Sequence, residues 1–207
     1  MAKKYFYSIK HQRRTDVKIK RSVFICTMAY VQSIKEAKEF IAKISKENQT
    51  AAHNCWAYIV GEKGDIFHSS DAGEPSGTAG KPMLNALQSH CMTDIAVVVT
   101  RHFGGVKLGV RGLIEAYSLS VKNTINLKQL RKLVQMINLR IEVSYEFNDT
   151  LLHQLKDFIV QIKNTDYSDK IVHVFEIELE NFKSIDKLLS EYQSREMIKF
   201  TILEKHV

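Results

Sequence analysis

Two glycine-rich segments of this chain carry basic residues beside the start of a predicted helix. Residues 76–81 run into a helix that includes Pro82, and residues 104–111 follow a strongly apolar stretch. The first turn of a helix exposes unpaired backbone N–H groups, and glycine lets the backbone approach an anion closely. The sequence therefore predicts anion binding at both segments. The predicted charges are Lys81, Arg101, Lys107 and Arg111, and the predicted backbone or hydroxyl donors are Ser76, Gly77, Thr78, Gly104 and Gly105.

These glycines do not form a nucleotide-binding fingerprint. A P-loop needs a glycine five positions before Gly80 and a hydroxyl residue after Lys81, but the chain has Pro75 and Pro82 at those positions. The second segment also lacks the Gly-x-Gly-x-x-Gly pattern of dinucleotide sites. We therefore predict no cofactor. The alternative interpretation of both segments is that their glycines serve tight turns and close packing alone.

A second group of reactive residue types lies at His53, Cys55, Asp71 and Glu74. Side chains two positions apart share one face of a strand, so His53 and Cys55 could form a nucleophile and its base. His53, Asp71 and Glu74 could instead be ligands of a metal ion. Such residues more often pack in a core or form turns and caps. We predict no catalytic residue and no metal, and we assign His53, Asp71 and Glu74 to shaping the glycine-rich segments.

Basic charge is concentrated at the beginning of the chain. The net charge is +7, and residues 1–21 alone hold eight basic side chains and one acidic side chain. Residues 22–134 hold 13 basic and nine acidic side chains, whereas residues 135–207 hold nine basic and 13 acidic ones. A basic face suits a polyanionic partner such as RNA, although it can also serve solubility alone.

Hydrophobic periodicity indicates two domains, at residues 1–134 and 135–207. In the first domain, Ser33 and Glu36 form a capping box that predicts a helix over 34–46. The apolar run at 95–100 predicts a strand covered on both faces. The other predictions for this domain are strands within 5–30, a hairpin of 54–60 with 66–69, helices ending near 89 and spanning 110–127, and a charged terminal segment at 128–134.

The sequence of the second domain predicts the element order βαββαβ, which is the ferredoxin-like pattern. Asn148 or Asp149 is the predicted N-cap of its first helix. The predicted strands are 137–147, 161–167, 170–180 and 198–204, and the predicted helices are 150–160 and 183–193.

Features of the whole chain predict a cytoplasmic protein. No stretch approaches the roughly 20 apolar residues that a membrane span needs. The basic N-terminal segment lacks the apolar core and cleavage site of a signal peptide. Cys26, Cys55 and Cys91 have no paired spacing, which favours free thiols in a reducing compartment. We therefore predict no membrane partner.

Three stretches resemble the signatures of the IMPACT/YigZ family, at residues 53–55, 70–82 and 98–109. The resemblance implies an α+β protein with a left-handed βαβ domain, like that of a small-subunit ribosomal protein. It implies a ferredoxin-like second domain similar to the fifth domain of elongation factor G. Both of those relatives contact ribosomal RNA, and the eukaryotic IMPACT proteins regulate translation. The chain departs from the family pattern at Ala72, where many relatives have an acidic residue, and at Glu115, where arginine is frequent.

Together these observations predict a non-enzymatic regulator associated with translation, which binds RNA or the ribosome through its basic glycine-rich segments. Two alternatives stay open from the sequence. One is an enzyme that acts on a nucleotide or a phosphorylated small molecule at the same segments. The other is a regulator of translation that works through a protein partner, such as a translation factor.

Overall fold

The computed structural model describes residues 6–62, 64–125 and 127–206. Lys3 and Lys4, which belong to the predicted basic segment, lie outside the described residues. The chain divides between Leu133 and Val134 into two compact units. Both units mix helices and strands, which confirms the predicted α+β class. Within the described ranges, every helix is too short or too polar to cross a membrane.

The first unit is built around a five-stranded antiparallel sheet. The strands of this unit are β1 (Phe6–Ile9), β2 (Arg13–Ile19), β3 (Ser22–Tyr30), β4 (His53–Val60), β5 (Ile66–Ser70), β6 (Ile95–His102) and β7 (Leu130–Leu133), and its helices are α1 (Ile34–Glu47), α2 (Gly80–Ser89) and α3 (Gly109–Thr124). The sheet order is β2-β3-β6-β4-β5. Because β3 and β4 both run antiparallel to β6, they are parallel to each other, and α1 makes the βαβ crossover between them. The left hand of this crossover stays a prediction.

Strand β6 lies in the middle of this sheet and is buried on both faces. Ala96 and Val98 pack with residues of α1, whereas Val97 and Val99 pack on the opposite face with residues of α2 and α3. This arrangement confirms the prediction for residues 95–100. Each fully buried aliphatic side chain of this kind stabilises the fold by about 1.5–3 kcal/mol. The end of β6 therefore provides a rigid base for the segment that follows.

The start of α1 follows its predicted capping pattern. The hydroxyl of Ser33 accepts a hydrogen bond from the N–H of Glu36 at 3.2 Å. The carboxylate of Glu36 accepts from the N–H of Gln32 at 2.9 Å, one residue before the N-cap. The carboxylate thus reaches slightly further back than the standard capping box, and the helix begins where the sequence predicts.

Residues 128–134 contain the end of the first unit, and they include the strand β7, which the sequence analysis did not predict. This strand pairs antiparallel with β1, and Phe6 lies opposite Leu133. Leu133 is buried, while Arg131 and Lys132 are exposed. Because two of its four residues are charged, β7 was not recognised as a strand, although it buries the side chain of Leu133.

The second unit has the predicted βαββαβ order. Its elements are β8 (Met136–Val143), α4 (Tyr145–Leu155), β9 (Ile159–Tyr167), β10 (Ile171–Glu178), α5 (Leu179–Ser194) and β11 (Ile198–His206). The strands form an antiparallel sheet in the order β11-β8-β10-β9. The N-cap prediction at Asn148 or Asp149 is wrong, because Ser144 precedes the helix. The side chain of Asn148 instead accepts a hydrogen bond from the buried His173 at 2.7 Å.

Candidate functional site

The carboxylate of Asp71 occupies backbone donors of the first glycine-rich segment. Its Oδ1 accepts hydrogen bonds from the N–H groups of Ala79 and Gly80, both at 2.9 Å, and its Oδ2 accepts from Gly77 at 2.8 Å. Burial raises the pKa of this carboxyl, but the three N–H donors outweigh burial and hold the pKa below its ordinary value. The anion at the start of α2 is therefore a side chain of the protein itself.

Thr78 and Ser76 differ in what they offer to a ligand. Both donors of Thr78 are used, because its N–H and its hydroxyl bond to the carbonyl of Pro75 at 3.1 and 2.7 Å. Ser76 and Lys81 are exposed. The folded chain satisfies the N–H of Gly77 and both donors of Thr78 internally, and the part of these residues in anion binding stays a prediction.

Behind this segment, Cys55, Glu74, Arg101 and Tyr117 form a buried cluster. Glu74 Oε1 accepts from Arg101 Nη1 at 2.6 Å and from the Tyr117 hydroxyl at 2.8 Å. The thiol of Cys55 lies 3.3 Å from the same hydroxyl and 2.8 Å from the carbonyl oxygen of Asp71. The cluster joins β4, β6 and α3 to the loop that carries Glu74.

Arg101, which the sequence predicts as an open cation, is buried and paired. Its side chain is 6% exposed and its charge is balanced by Glu74. The guanidinium lies between two aromatic rings, with its central carbon 5.4 Å from the ring centre of Phe24 and 5.3 Å from that of Phe103. In this conformation Arg101 offers no exposed charge to an anion.

His53 stands beside the buried cluster. Its Nδ1 lies 3.0 Å from the carbonyl oxygen of Ala72, and its Nε2 lies 3.9 Å from Oε2 of Glu74. A carbonyl oxygen can only accept, so Nδ1 donates this hydrogen bond. His53 thus links the loop at Ala72 to the start of β4, and its loop-shaping role stays a prediction.

The environment of Cys55 argues against a thiolate nucleophile. Burial raises the pKa of the Cys55 thiol to about 12; the Tyr117 hydroxyl lowers it less, and the charge of Glu74 raises it further. The thiol is therefore protonated at neutral pH, and the thiolate is the reactive form. In the part of the chain that the structure describes, no three His, Cys, Asp or Glu side chains are grouped to hold a metal ion.

Gly104 brings the second glycine-rich segment against the turn between β2 and β3. A Cβ atom at Gly104 would lie 1.8 Å from the carbonyl oxygen of Arg21, so a side chain has no room there. The N–H of Gly104 donates to the hydroxyl of Ser22 at 3.4 Å. The exposed side chains of Lys20 and Arg21 are thereby held beside this segment.

The start of α3 has no side-chain cap. Leu108 occupies the N-cap position, and leucine has no atom that accepts an N–H. Lys107 is exposed directly before it. Arg111 is also exposed and forms a 3.1 Å ion pair with Glu115, whose contribution is small because both side chains are largely in solvent. The side chain of its N-cap residue makes no hydrogen bond to this helix start, whereas Asp71 accepts from the N–H of Gly80 at the start of α2.

A cleft of about 480 Å³ is lined by the second glycine-rich segment and by the residues just before the first. Lys107 belongs to the second segment and Phe103 directly precedes it, whereas Glu74 and Pro75 directly precede the first segment. Arg101 lines it from the end of β6. Clefts of this size accommodate small ligands.

Comparison with known proteins identifies the family. The sequence model described as the Impact N-terminal domain matches residues 20–125, which include every residue of the cleft. The chain belongs to the IMPACT family. IMPACT family member YvyE of Bacillus subtilis strain 168 is 35% identical over 188 residues, which is 90% of this chain and 86% of that protein. IMPACT family member YigZ of Escherichia coli K12 is 32% identical over 151 residues, which is 72% of this chain and 74% of that protein.

A solved structure resembles the IMPACT-family chain over its full length. It is described as the crystal structure of an hypothetical protein, with 27% sequence identity and a TM-score of 0.61 over 98% of both chains. The family match confirms the predicted family, and this likeness supports the α+β fold.

The IMPACT cleft gathers some of the predicted residues and not others. It is lined by His53, Glu74, Arg101 and Lys107. Gly105, by contrast, is exposed, and a Cβ atom added to it would have no neighbouring atom within 4 Å. The roles of the predicted anion-binding residues stay predictions. The cations Lys81 and Arg111 are exposed but do not line this cleft.

Sequence reasoning missed Tyr117, Ser22 and Phe103. Tyr117 lies four residues after Leu113 on the buried face of α3, which is a spacing typical of core residues. Its hydroxyl reaches Glu74, which is 43 positions away in the sequence. Phe103 could have been noticed in the sequence, because an aromatic residue stands there between an arginine and a glycine pair.

Proposed function

We propose that this IMPACT-family chain is a non-enzymatic regulator associated with translation, and that it binds RNA phosphates. The binding site is a basic surface formed by Lys20, Arg21, Lys107 and the start of α3. The observation that carries this proposal is the contact between Gly104 and Arg21, which joins the basic hairpin turn to the second glycine-rich segment. The uncapped helix start adds unpaired N–H groups to these cations.

The geometry of the basic surface suits the phosphate backbone of a nucleic acid. Phosphate contacts from Lys and Arg side chains and from helix starts position a protein on nucleic acid without reading its sequence. Lys20 lines a small depression together with Leu108 and Gly112, so the hairpin turn lies next to the start of α3. These donors form one continuous region, as a phosphate backbone requires.

Membership of the IMPACT family supports a role in translation, because the eukaryotic IMPACT proteins regulate translation. The ribosome offers the largest surface of structured RNA phosphates to a protein of this kind. A regulator that binds there needs no catalytic group, which agrees with the protonated thiol of Cys55.

Co-sedimentation with ribosomes at graded salt tests the proposal. The wild-type chain is expected to sediment with ribosomes at low salt and to be released as salt rises. The double variant Arg21→Ala/Lys107→Ala is expected to lose most of this binding. The matched control is Lys38→Ala/Lys43→Ala, because both lysines are exposed on α1, which covers the opposite face of the sheet.

Equal sedimentation of the two double variants would contradict the proposed surface. Binding that survives nuclease treatment, and that depends on neither pair, would favour the alternative of a protein partner. Wild-type chain that stays in the supernatant at every salt concentration would remove the ribosome from the proposal.

A further inference from the structure

The guanidinium of Arg101 contains a buried donor that the fold does not use. Its Nη1 donates to Glu74 at 2.6 Å, and its Nη2 lies 3.5 Å from the hydroxyl of Ser22. Its Nε–H finds no acceptor among the residues that the structure describes. A buried N–H without a partner costs about 1–3 kcal/mol, so native proteins rarely keep one without a purpose.

Two aromatic rings lie against this guanidinium, and they differ in their exposure to solvent. Phe24 is fully buried on β3, whereas Phe103 is 49% exposed at the end of β6. Phe103 precedes Gly104 and Gly105, and Gly105 has a φ of +82° with open space around it. One ring is therefore fixed in the core, and the other lies at the surface beside a glycine pair.

The unused donor lies on the edge of the guanidinium that suits an oxyanion. Nε and Nη2 of an arginine project in parallel and can bind two oxygens of one phosphate or carboxylate side-on. Arg101, Phe103 and Lys107 all line the 480 Å³ cleft. Glu74 balances the charge of Arg101, so the net positive charge at the cleft has to come from Lys107 and the start of α3.

We infer that this cleft is a receptor for a terminal phosphate monoester, which Arg101 binds side-on through Nε and Nη2. The ring of Phe103 moves aside to admit it, and Lys107 balances its second negative charge. A terminal phosphate can reach the buried guanidinium of Arg101 in this cleft because a nucleotide is attached on one side only, whereas an internal phosphodiester has a nucleotide on each side. The inference rests on the proposed RNA binding and assigns the end of the strand to this cleft.

Fluorescence polarisation of short single-stranded RNAs tests this receptor. The three probes share one sequence and carry a phosphate at the 5′ end, at the 3′ end or at neither end. The wild-type chain is expected to bind one of the two phosphorylated probes about tenfold more tightly than the probe without a terminal phosphate, the effect of a bidentate charge-assisted contact.

Two variants test whether Arg101 and Phe103 produce the preference for a terminal phosphate. Arg101→Lys keeps a cation opposite Glu74 but removes the Nε–H, so it is expected to lose the preference while still binding all three probes. Phe103→Ala changes an exposed ring and leaves the buried pair intact, so it is expected to fold and to increase the preference. If Arg101→Lys fails to fold, as circular dichroism would show, Lys107→Ala carries the test, because it removes the cation assigned to the second negative charge and is expected to reduce the preference. A preference that neither folded variant reduces would overturn the receptor.

The outcomes separate this inference from the proposed function. Equal binding of all three probes by the wild-type chain would overturn the receptor and leave RNA binding intact. Binding of no probe would overturn the proposed function. A preference that Phe103→Ala leaves unchanged would overturn the part of the inference that concerns the moving ring.

Discussion

The carboxylate of Glu74 and the guanidinium of Arg101 form an ion pair with 2.6 Å between Oε1 and Nη1, and each side chain is at most 6% exposed. The hydroxyl of Tyr117 donates to the same carboxylate oxygen. Loss of one partner of a buried pair leaves an uncompensated charge in the interior. The wall of the cleft that carries Glu74 therefore depends on this contact.

We predict that Glu74→Gln lowers the free energy of unfolding by about 3 kcal/mol, because Arg101 would be left buried without a counter-charge. Urea unfolding at neutral pH measures the change. The control is Glu115→Gln, which removes the exposed partner of Arg111 and is expected to change the free energy by less than about 1 kcal/mol. Similar effects of the two variants would show that the buried ion pair contributes no more to the free energy of unfolding than the exposed pair does.

Asp71→Asn tests the carboxylate that closes the first glycine-rich segment. Its folded pKa lies below its ordinary value, so its stabilisation is present above the unfolded pKa of about 3.9 and is lost as the pH falls through the folded value. We expect the variant to be less stable by about 2 kcal/mol at neutral pH. Urea unfolding from about pH 6 down to about pH 3 should show this difference narrowing. A difference that stays constant with pH would contradict the assigned role.

Substitutions at the glycine pair should differ in severity. Gly105→Ala places an alanine at a φ of +82° in open space, which costs about 1–2 kcal/mol of backbone strain. Gly104→Ala is expected to cost more, at least about 3 kcal/mol, because its Cβ would collide with the backbone of Arg21. Thermal unfolding measures both. Equal costs would mean that the hairpin turn does not pack against Gly104 as described.

The three cysteines should react differently with iodoacetamide at pH 8. Cys26 and Cys55 are buried and burial raises the pKa of each to about 12, whereas Cys91 is partly exposed. We expect mass spectrometry to find one modified thiol, at Cys91, in the folded chain and three in urea. Fast modification of Cys55 in the folded chain would contradict the buried cluster and would revive the nucleophile alternative.

The elements that local patterns determine were predictable from the sequence. The capping box located the start of α1, and the apolar run at 95–100 located β6 with both faces buried. Strand β7 was missed because its apolar content is small and its partner β1 lies more than 120 positions away. A pairing of that separation leaves no signal in the local period.

The site was predictable as a set of residue types but not as a set of contacts. The sequence does not say that Asp71 binds the amides of its own loop, or that Glu74 rather than Asp71 pairs with Arg101. Such pairings depend on which strand ends meet. For that reason the sequence did not reveal that Asp71 occupies amides of the first segment, and the cleft is lined by the second segment but by no residue of 76–81.

The salt dependence of RNA binding tests the central claim most directly. Filter binding of a structured RNA should give a logarithm of the association constant that falls linearly with the logarithm of salt concentration. Lys107→Ala is expected to flatten this slope by about one unit, while Lys43→Ala on α1 leaves it unchanged. A wild-type slope near zero, or equal flattening by the two variants, would contradict phosphate binding at the basic surface.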